Sequence, residues 1–311
     1  MVIQLGWNLL AVVLGVVLAL TAGCDRRTAS RGDGRINVVC TTGMVADLVT
    51  RVGGERVAVT CLMGEGVDPH LYKASPGDLR LLENADLIFY NGLHLEGRMG
   101  EVLETLGRRQ TVVAVAEGID AAKLLVDHDQ GGQPDPHIWF DVMLWMKAAE
   151  RVRGALITRD PESAPTYERN TAEYLARLTA LHEEVAREVV SIPAESRVLV
   201  TAHDAFGYFG RAYGIEVRAV QGMSTDSEAS LKDINDLVDL LCARRIKAVF
   251  IESSVSAKSV EALVEGCRAR GHEVVIGGEL FSDAMGAPGT PEGTYEGMVR
   301  ANVSLIVGAL R

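Results

Sequence analysis

Apolar residues arrive in short continuous runs separated by helical patterns, starting at Ile36. INVVCTT (Ile36–Thr42), VAVTCLM (Val57–Met63), LIFYNG (Leu87–Gly92) and TVVAVAE (Thr111–Glu117) each read as a strand buried on both faces. GMVADLVTRVGG follows the first as a helix stopped by Gly53-Gly54. Ser75-Pro76-Gly77-Asp78 opens another, with serine as N-cap, proline at the first helical position and aspartate three residues after the cap. The pattern restarts with RVLVTAH (Arg197–His203), a helix from Ala205, IEVRAVQ (Ile215–Gln221) and a helix near Ser230–Arg244. KAVFIES (Lys247–Ser253), a helix near Ala257–Arg270, HEVVIGG (His272–Gly278) and a closing helix, Thr294–Leu310, complete it. Repeated β-α units with continuous apolar strands predict parallel sheets covered by helices.

Between the two series, Glu162 to about Ser191 carries apolar residues at helical spacing, with no proline after Pro165. Some 26 helical residues would span about 40 Å. The expected architecture is α/β: two lobes, each a small parallel sheet flanked by helices, bridged by one long rigid helix. The N-terminal lobe is expected at 36–161, the linking helix at 162–191 and the C-terminal lobe at 192–311.

The first 23 residues contain no charged side chain, and Leu9–Leu20 form an apolar run of 12 residues. That is short for a membrane span and suits a signal-peptide core. Thr21-Ala22-Gly23-Cys24 is similar to the lipobox of bacterial lipoproteins, in which cleavage leaves the cysteine lipidated. It departs from that pattern in having Thr21 where leucine is usual, and the segment before the apolar run lacks Lys and Arg. Residues 1–23 are therefore expected to be a signal peptide, Cys24 a lipidation site and 24–35 a polar tether. The domain would work outside the cytoplasm, anchored to the cell membrane.

With 48% hydrophobic and 23% charged residues, the 311-residue chain can bury a core. Its net charge of −11 argues against a nucleic-acid partner. Cys40, Cys61, Cys242 and Cys267 form no Cys-x-x-Cys pair, which excludes zinc-finger and thioredoxin readings. They read as small buried hydrophobes, and sequence does not pair them.

One phrase occurs twice in a chain with seven histidines: Asp-Pro-His, in GEGVDPHLY (Gly64–Tyr72) and PDPHIW (Pro134–Trp139). Parallel α/β sheets bind ligands at the carboxyl ends of their strands. His70 follows the second strand, His137 follows the fourth, His203 ends RVLVTAH and Asp283 follows HEVVIGG. All four can point into one crevice between the lobes. Three imidazoles and a carboxylate suit a divalent transition metal. Their separations of 67, 66 and 80 residues match no local zinc motif. His94 and His128 are weaker candidates, His182 is mid-helix and His272 lies at the wrong end of its strand.

The phrases GEGVDPHLYKASPGDLRLLENADLIFYNGLHLEG, DPHIWFD, VTAHDAFGYFGRAYGI, KAVFIESSVS and LFSDAMGAPGTPEGTYEGMVRANV together resemble a known family. It is the cluster A-I, TroA-like zinc and manganese solute-binding proteins of bacterial ABC importers. The resemblance covers nearly everything from Ile36 onward and implies two lobes bridged by a long helix. It places the four metal ligands on His70, His137, His203 and Asp283. It also implies one zinc or manganese ion as transported cargo, with a membrane permease and its ATPase as partners. The chain is expected to be monomeric. Proline stiffens each Asp-Pro-His loop, and Asp68, Asp135, Asp204 and Glu252 are candidates to orient the imidazoles. In this family a histidine at the third position accompanies zinc-type and mixed receptors, and His203 stands there. The segment before His137 lacks the long His-rich tract of dedicated zinc receptors, so mixed binding with zinc tighter is expected.

Three other readings compete. A zinc hydrolase would need an open coordination position, which Asp283 fills, and His-Glu-x-x-His and Gly-x-Ser-x-Gly are absent. A siderophore or haem receptor would want an aromatic, arginine-lined cleft, and aromatics make up 5% of the chain. Surface adhesion remains open as an added role.

Overall fold

The computed structural model describes residues 34–127 and 132–311. The expected signal peptide, Cys24, nearly all of the tether and His128 lie outside them.

The first sheet contains β1 (Ile36–Cys40), β2 (Val57–Cys61), β3 (Leu87–Tyr90) and β4 (Thr111–Ala114). Their order is β2-β1-β3-β4 and every pairing is parallel. Interleaved are α1 (Gly43–Gly53), α2 (Pro76–Glu83) and α3 (Gly100–Gly107). Ser75 forms the expected capping box: its hydroxyl accepts from Asp78 N–H and its own N–H donates to the Asp78 carboxylate. A two-residue antiparallel pair, β5 (Val126–Asp127) with β6 (Gln133–Pro134), leads into the His137 loop.

An 18-residue helix that the sequence reading passed over follows, α4 (Val142–Arg159). Asp141 caps it, accepting from Met143 and Leu144 N–H. The long helix α5 runs Ala164–Val190, 27 residues, with proline in its first turn. Tyr167, Thr171, Tyr174, Leu178, Leu181, Val185 and Val189 form its buried stripe at three- and four-residue spacing.

The second half contains β7 (Val198–His203), α6 (Gly207–Tyr213), β8 (Glu216–Gln221), α7 (Leu231–Arg244), β9 (Ala248–Glu252), α8 (Lys258–Ala269), β10 (Val275–Leu280) and α9 (Tyr295–Leu310). β7 pairs parallel with β8, β9 pairs parallel with β10, and β7 runs beside β9. The last strand starts three residues later than the apolar run predicts, and its register shifts between Ile276 and Gly278. A Cβ at Gly277 would lie 2.8 Å from Ala309 Cβ, so glycine lets α9 pack on that strand.

The long helix touches α1, α4 and α9. One continuous core runs from Val38 and Phe89 through Trp145 and Tyr174 to Leu199, Phe250 and Tyr295. Cys40 and Cys267 are buried as expected, but Cys61 is exposed, because β2 is an edge strand that ends there. All four cysteines among the described residues are free, although Cys40 and Cys61 are register partners on adjacent strands. Among the described residues, no helix is long and apolar enough to cross a membrane.

A core shared across both lobes resists hinge opening. The radius of gyration of metal-free and metal-loaded protein, measured by solution scattering, should therefore differ by no more than about 1–2 Å. A change of several ångströms in radius of gyration would show that the lobes separate despite the common core.

Candidate metal centre

Both Asp-Pro-His copies use the same local device. Asp68 Oδ1 accepts from the His70 backbone N–H at 2.8 Å, and Asp135 Oδ1 accepts from the His137 N–H at 2.9 Å. With proline fixing φ between them, each histidine leaves a short turn tied at both ends. The copies then diverge. Asp135 Oδ1 also lies 2.7 Å from His137 Nδ1, whereas Asp68 Oδ2 accepts from the Thr225 hydroxyl at 2.6 Å. Gly66, at φ +69°, brings the loop before His70 up to the Ser253 carbonyl.

His203 is the last residue of β7, and Glu252 is the last of β9. One Glu252 oxygen accepts from His203 N–H at 2.9 Å and the other lies 2.5 Å from its Nδ1. Asp204 instead lines a cavity beside Asp135. Asp283 sits three residues beyond β10. The chain before it is fixed by Asn302, which both donates to and accepts from the Phe281 backbone, and by Trp139 Nε1–H donating to Ser282 O at 3.1 Å.

The four predicted residues meet. One donor atom from each of His70, His137, His203 and Asp283 lies within 4.8 Å of the others, and all four residues are buried. His70 Nε2 is 3.4 Å from His137 Nε2 and 3.6 Å from Asp283 Oδ2. His137 Nε2 is 3.4 Å from Asp283 Oδ1, and His203 Nε2 is 3.2 Å from Oδ2. A tetrahedron with metal–ligand bonds of about 2.0–2.1 Å has edges of about 3.3–3.4 Å, so with Asp283 Oδ2 as the fourth corner three of its six edges are already close to length. Both Asp283 oxygens and His203 Nε2 are buried without a hydrogen-bond partner. They face one another as charge contacts rather than aligned hydrogen bonds. That is the donor set a dication would complete.

The electrostatics separate the three imidazoles. Burial lowers His70 to about 4. Burial also opposes charge on His137, but Asp135, and then Asp283, outweigh it and raise that ring to about 9. His203 is raised well above the ordinary range, with Glu252 and Asp283 overcoming its burial. Asp283, whose burial alone would raise it, is held well below the usual carboxylate range by His203 and His137.

Several supporting residues carry no local sequence signal. Glu96 is buried and accepts from the Thr41 hydroxyl and from the N–H groups of Asn91 and Gly92. Asn91 Nδ2 donates to the Pro136 carbonyl at 2.9 Å. From the other half, Tyr208 donates to Asp135 O at 2.9 Å, and Tyr295 donates to Trp139 O at 2.7 Å. The His137 loop is thus fastened from both lobes rather than carried by the first alone. His94 lies apart from the cluster, exposed at φ 65°, in a cavity with Tyr90, Glu104 and Glu117. His182, on the long helix, contacts Tyr213 at the end of α6, and His272 contacts Ile246 O.

Comparison with known proteins agrees with this geometry. The chain is 49% identical over 305 residues to the manganese-binding lipoprotein MntA of Bacillus subtilis, covering 98% of this chain and 99% of that protein. It is 48% identical over 299 residues to the zinc-binding protein TroA of Treponema pallidum, covering 96% of each. The solved structure of the periplasmic zinc-binding protein TroA from that organism superposes with a TM-score of 0.87 at 50% identity, covering 89% of this chain and 99% of that one. Residues 38–309 match the family described as ZnuA, zinc-uptake complex component A, periplasmic, and the chain belongs to that family.

Proposed function

We propose that this protein is an extracytoplasmic receptor that binds one divalent transition metal, zinc or manganese, between its lobes and delivers it to an ABC permease. His70, His137, His203 and Asp283 are the ligands. The observation that carries this reading is the convergence of three imidazole nitrogens on a buried carboxylate with both oxygens unpartnered. Asp135 and Glu252 hold His137 and His203 by Nδ1, leaving each Nε2 for the metal. The chain is monomeric, held to the membrane by a lipid on Cys24, and its partners are the permease and the ATPase that drives it. It is not an enzyme, because Asp283 takes the position that a catalytic zinc leaves open for water.

Imidazole favours zinc, and zinc outranks manganese at generic nitrogen and oxygen sites. Asp283 turns one oxygen toward His137 and the other toward His70 and His203. A carboxylate facing the centre with both oxygens can also add a ligand for manganese. Zinc titrated into manganese-loaded protein, with bound metal counted by elemental analysis, should displace manganese at one ion per chain. Manganese binding with no zinc competition would overturn the proposed preference, and no stoichiometric metal would overturn the receptor reading.

The raised imidazoles set the pH dependence. His137, raised to about 9, is protonated in metal-free protein at pH 7, and so is His203. The metal must displace those protons, whereas His70, lowered to about 4, holds none at that pH. Affinity should therefore rise from pH 7 toward 9 and fall on acidification, by about tenfold per pH unit for each displaced proton. Calorimetry at pH 7 in buffers of different ionisation enthalpy should show about one to two protons released per ion. Release of none would mean that the empty site holds neutral rings.

Removing an orienting carboxylate should weaken the site without abolishing it. Asp135→Asn and Glu252→Gln are each expected to lower zinc affinity by about 10–100-fold in chelator competition, with one ion still bound at saturation. Unchanged affinity in both would exclude the orienting role.

A further inference from the structure

The two Asp-Pro-His copies differ in where the aspartate spends its second contact, and that difference has a consequence for release. Asp135 turns back to its own imidazole. Asp68 reaches across the cleft: one oxygen holds the His70 backbone and the other accepts from Thr225. Thr225 belongs to the loop between β8 and α7, in the second half of the chain. Buried Met223 roots that loop, and contacts from Gln221 to Ser227 O and from Asp226 N–H to the Ser224 hydroxyl give it local order. The next residue, Asp226, is paired with Arg98 of the first lobe at 2.5 Å. Arg98 lies two residues beyond Glu96, whose carboxylate organises the Asn91–Pro136 contact.

Burial gives this arrangement a direction. His137 and His203 are fully buried and Asp283 is 1% exposed, whereas His70 is 5% exposed. Solvent meets the ligand set at His70, whose loop is gripped from the opposite lobe by a surface loop, whereas the ties of Tyr208 and Tyr295 to the His137 loop are fully buried. The two ties differ in weight. The Arg98–Asp226 pair is exposed and contributes little. The Thr225–Asp68 bond is partly buried and made to a charged acceptor, the stronger kind.

We propose that Thr225 is a positioning residue for His70: acting through Asp68, its hydroxyl holds the His70 arm against the opposite lobe and sets how fast the bound ion leaves. The inference rests on the receptor reading, with His70 as a ligand. It adds a specific contact through which a docking partner could loosen the site, by lifting the loop between β8 and α7.

The test is the rate of zinc release from loaded protein into excess chelating dye, followed by stopped flow. Thr225→Val should release zinc about tenfold faster, a change of about 1.4 kcal/mol, the size expected for one hydrogen bond to a charged group. Its association rate and metal-free melting temperature should match the unaltered protein, and Thr225→Ser should restore slow release. Arg98→Gln, which cuts the exposed tie while leaving Thr225 in place, should accelerate release by no more than about threefold. Thr225→Val releasing at the unaltered rate, or Thr225→Ser releasing as fast as Thr225→Val, would overturn the proposal. A stoichiometry other than one zinc per unaltered chain would overturn the receptor reading and this inference with it.

Discussion

The centre of the molecule is organised around a carboxylate buried without a hydrogen-bond partner. Asp283 is 1% exposed, neither of its oxygens accepts a hydrogen bond, and three imidazole rings face it. An isolated buried carboxylate costs several kcal/mol, and that cost is met only by nearby positive charge. Without a metal, protons on His137 and His203 can supply that charge: Asp135 and Glu252, and Asp283 after them, push the two rings up, and the rings in turn hold Asp283 low. A dication satisfies the same carboxylate after the protons leave. The site therefore has two states of matched charge on one set of side chains, and moving between them requires no change of fold.

Such an exchange demands rings that stay in place whichever charge is present. Asp135 and Glu252 supply that constraint from two directions, one within its own turn and one from the neighbouring strand. Behind them the His137 loop is pinned by Asn91 from one lobe and by Tyr208 and Tyr295 from the other. Residues 134–140 act as a keystone, because removing either lobe's contacts would leave a ligand unsupported. The long helix and the core that passes beneath the cleft hold the two sets of contacts at fixed separation.

Much of this was legible in the sequence, for reasons that can be stated. Parallel strands are buried on both faces and so appear as continuous apolar runs. Chemistry gathers at their carboxyl ends, so histidines just beyond those runs stood out. The helix Val142–Arg159 was passed over because its signal was an aspartate cap after an aromatic cluster rather than a clean start. The apolar run at His272 predicts an earlier start than the observed Val275, because it includes residues that lie in the turn before the strand. Cys61 looked like core because composition does not show that β2 is an edge strand. Asp204 and Glu252 were indistinguishable as partners for His203. The ring is held by the one 49 residues away in sequence, because adjacent strands align their ends. Glu96 and Asn91 gave no signal, since their work is to join loops that meet only in the folded chain.

Burial of the cluster also bears on how an ion would enter and leave it. A catalytic zinc needs a coordination position open to water and room for a substrate. Here the side chains of all four residues that could hold a metal are buried, with only a sliver of exposure at His70. Closure of this kind suits holding and carrying. Such burial slows exchange with solvent, because the chain around each of these four residues is held by contacts that do not involve a metal. With Thr225 holding the His70 arm, release would begin at the one support that a force on the outside of the molecule can reach. Of the supports seen, those of His137 and His203 lie deep beneath packed aromatic rings or strand ends. The support of His70 runs through a surface loop, and that asymmetry gives the exchange a preferred side.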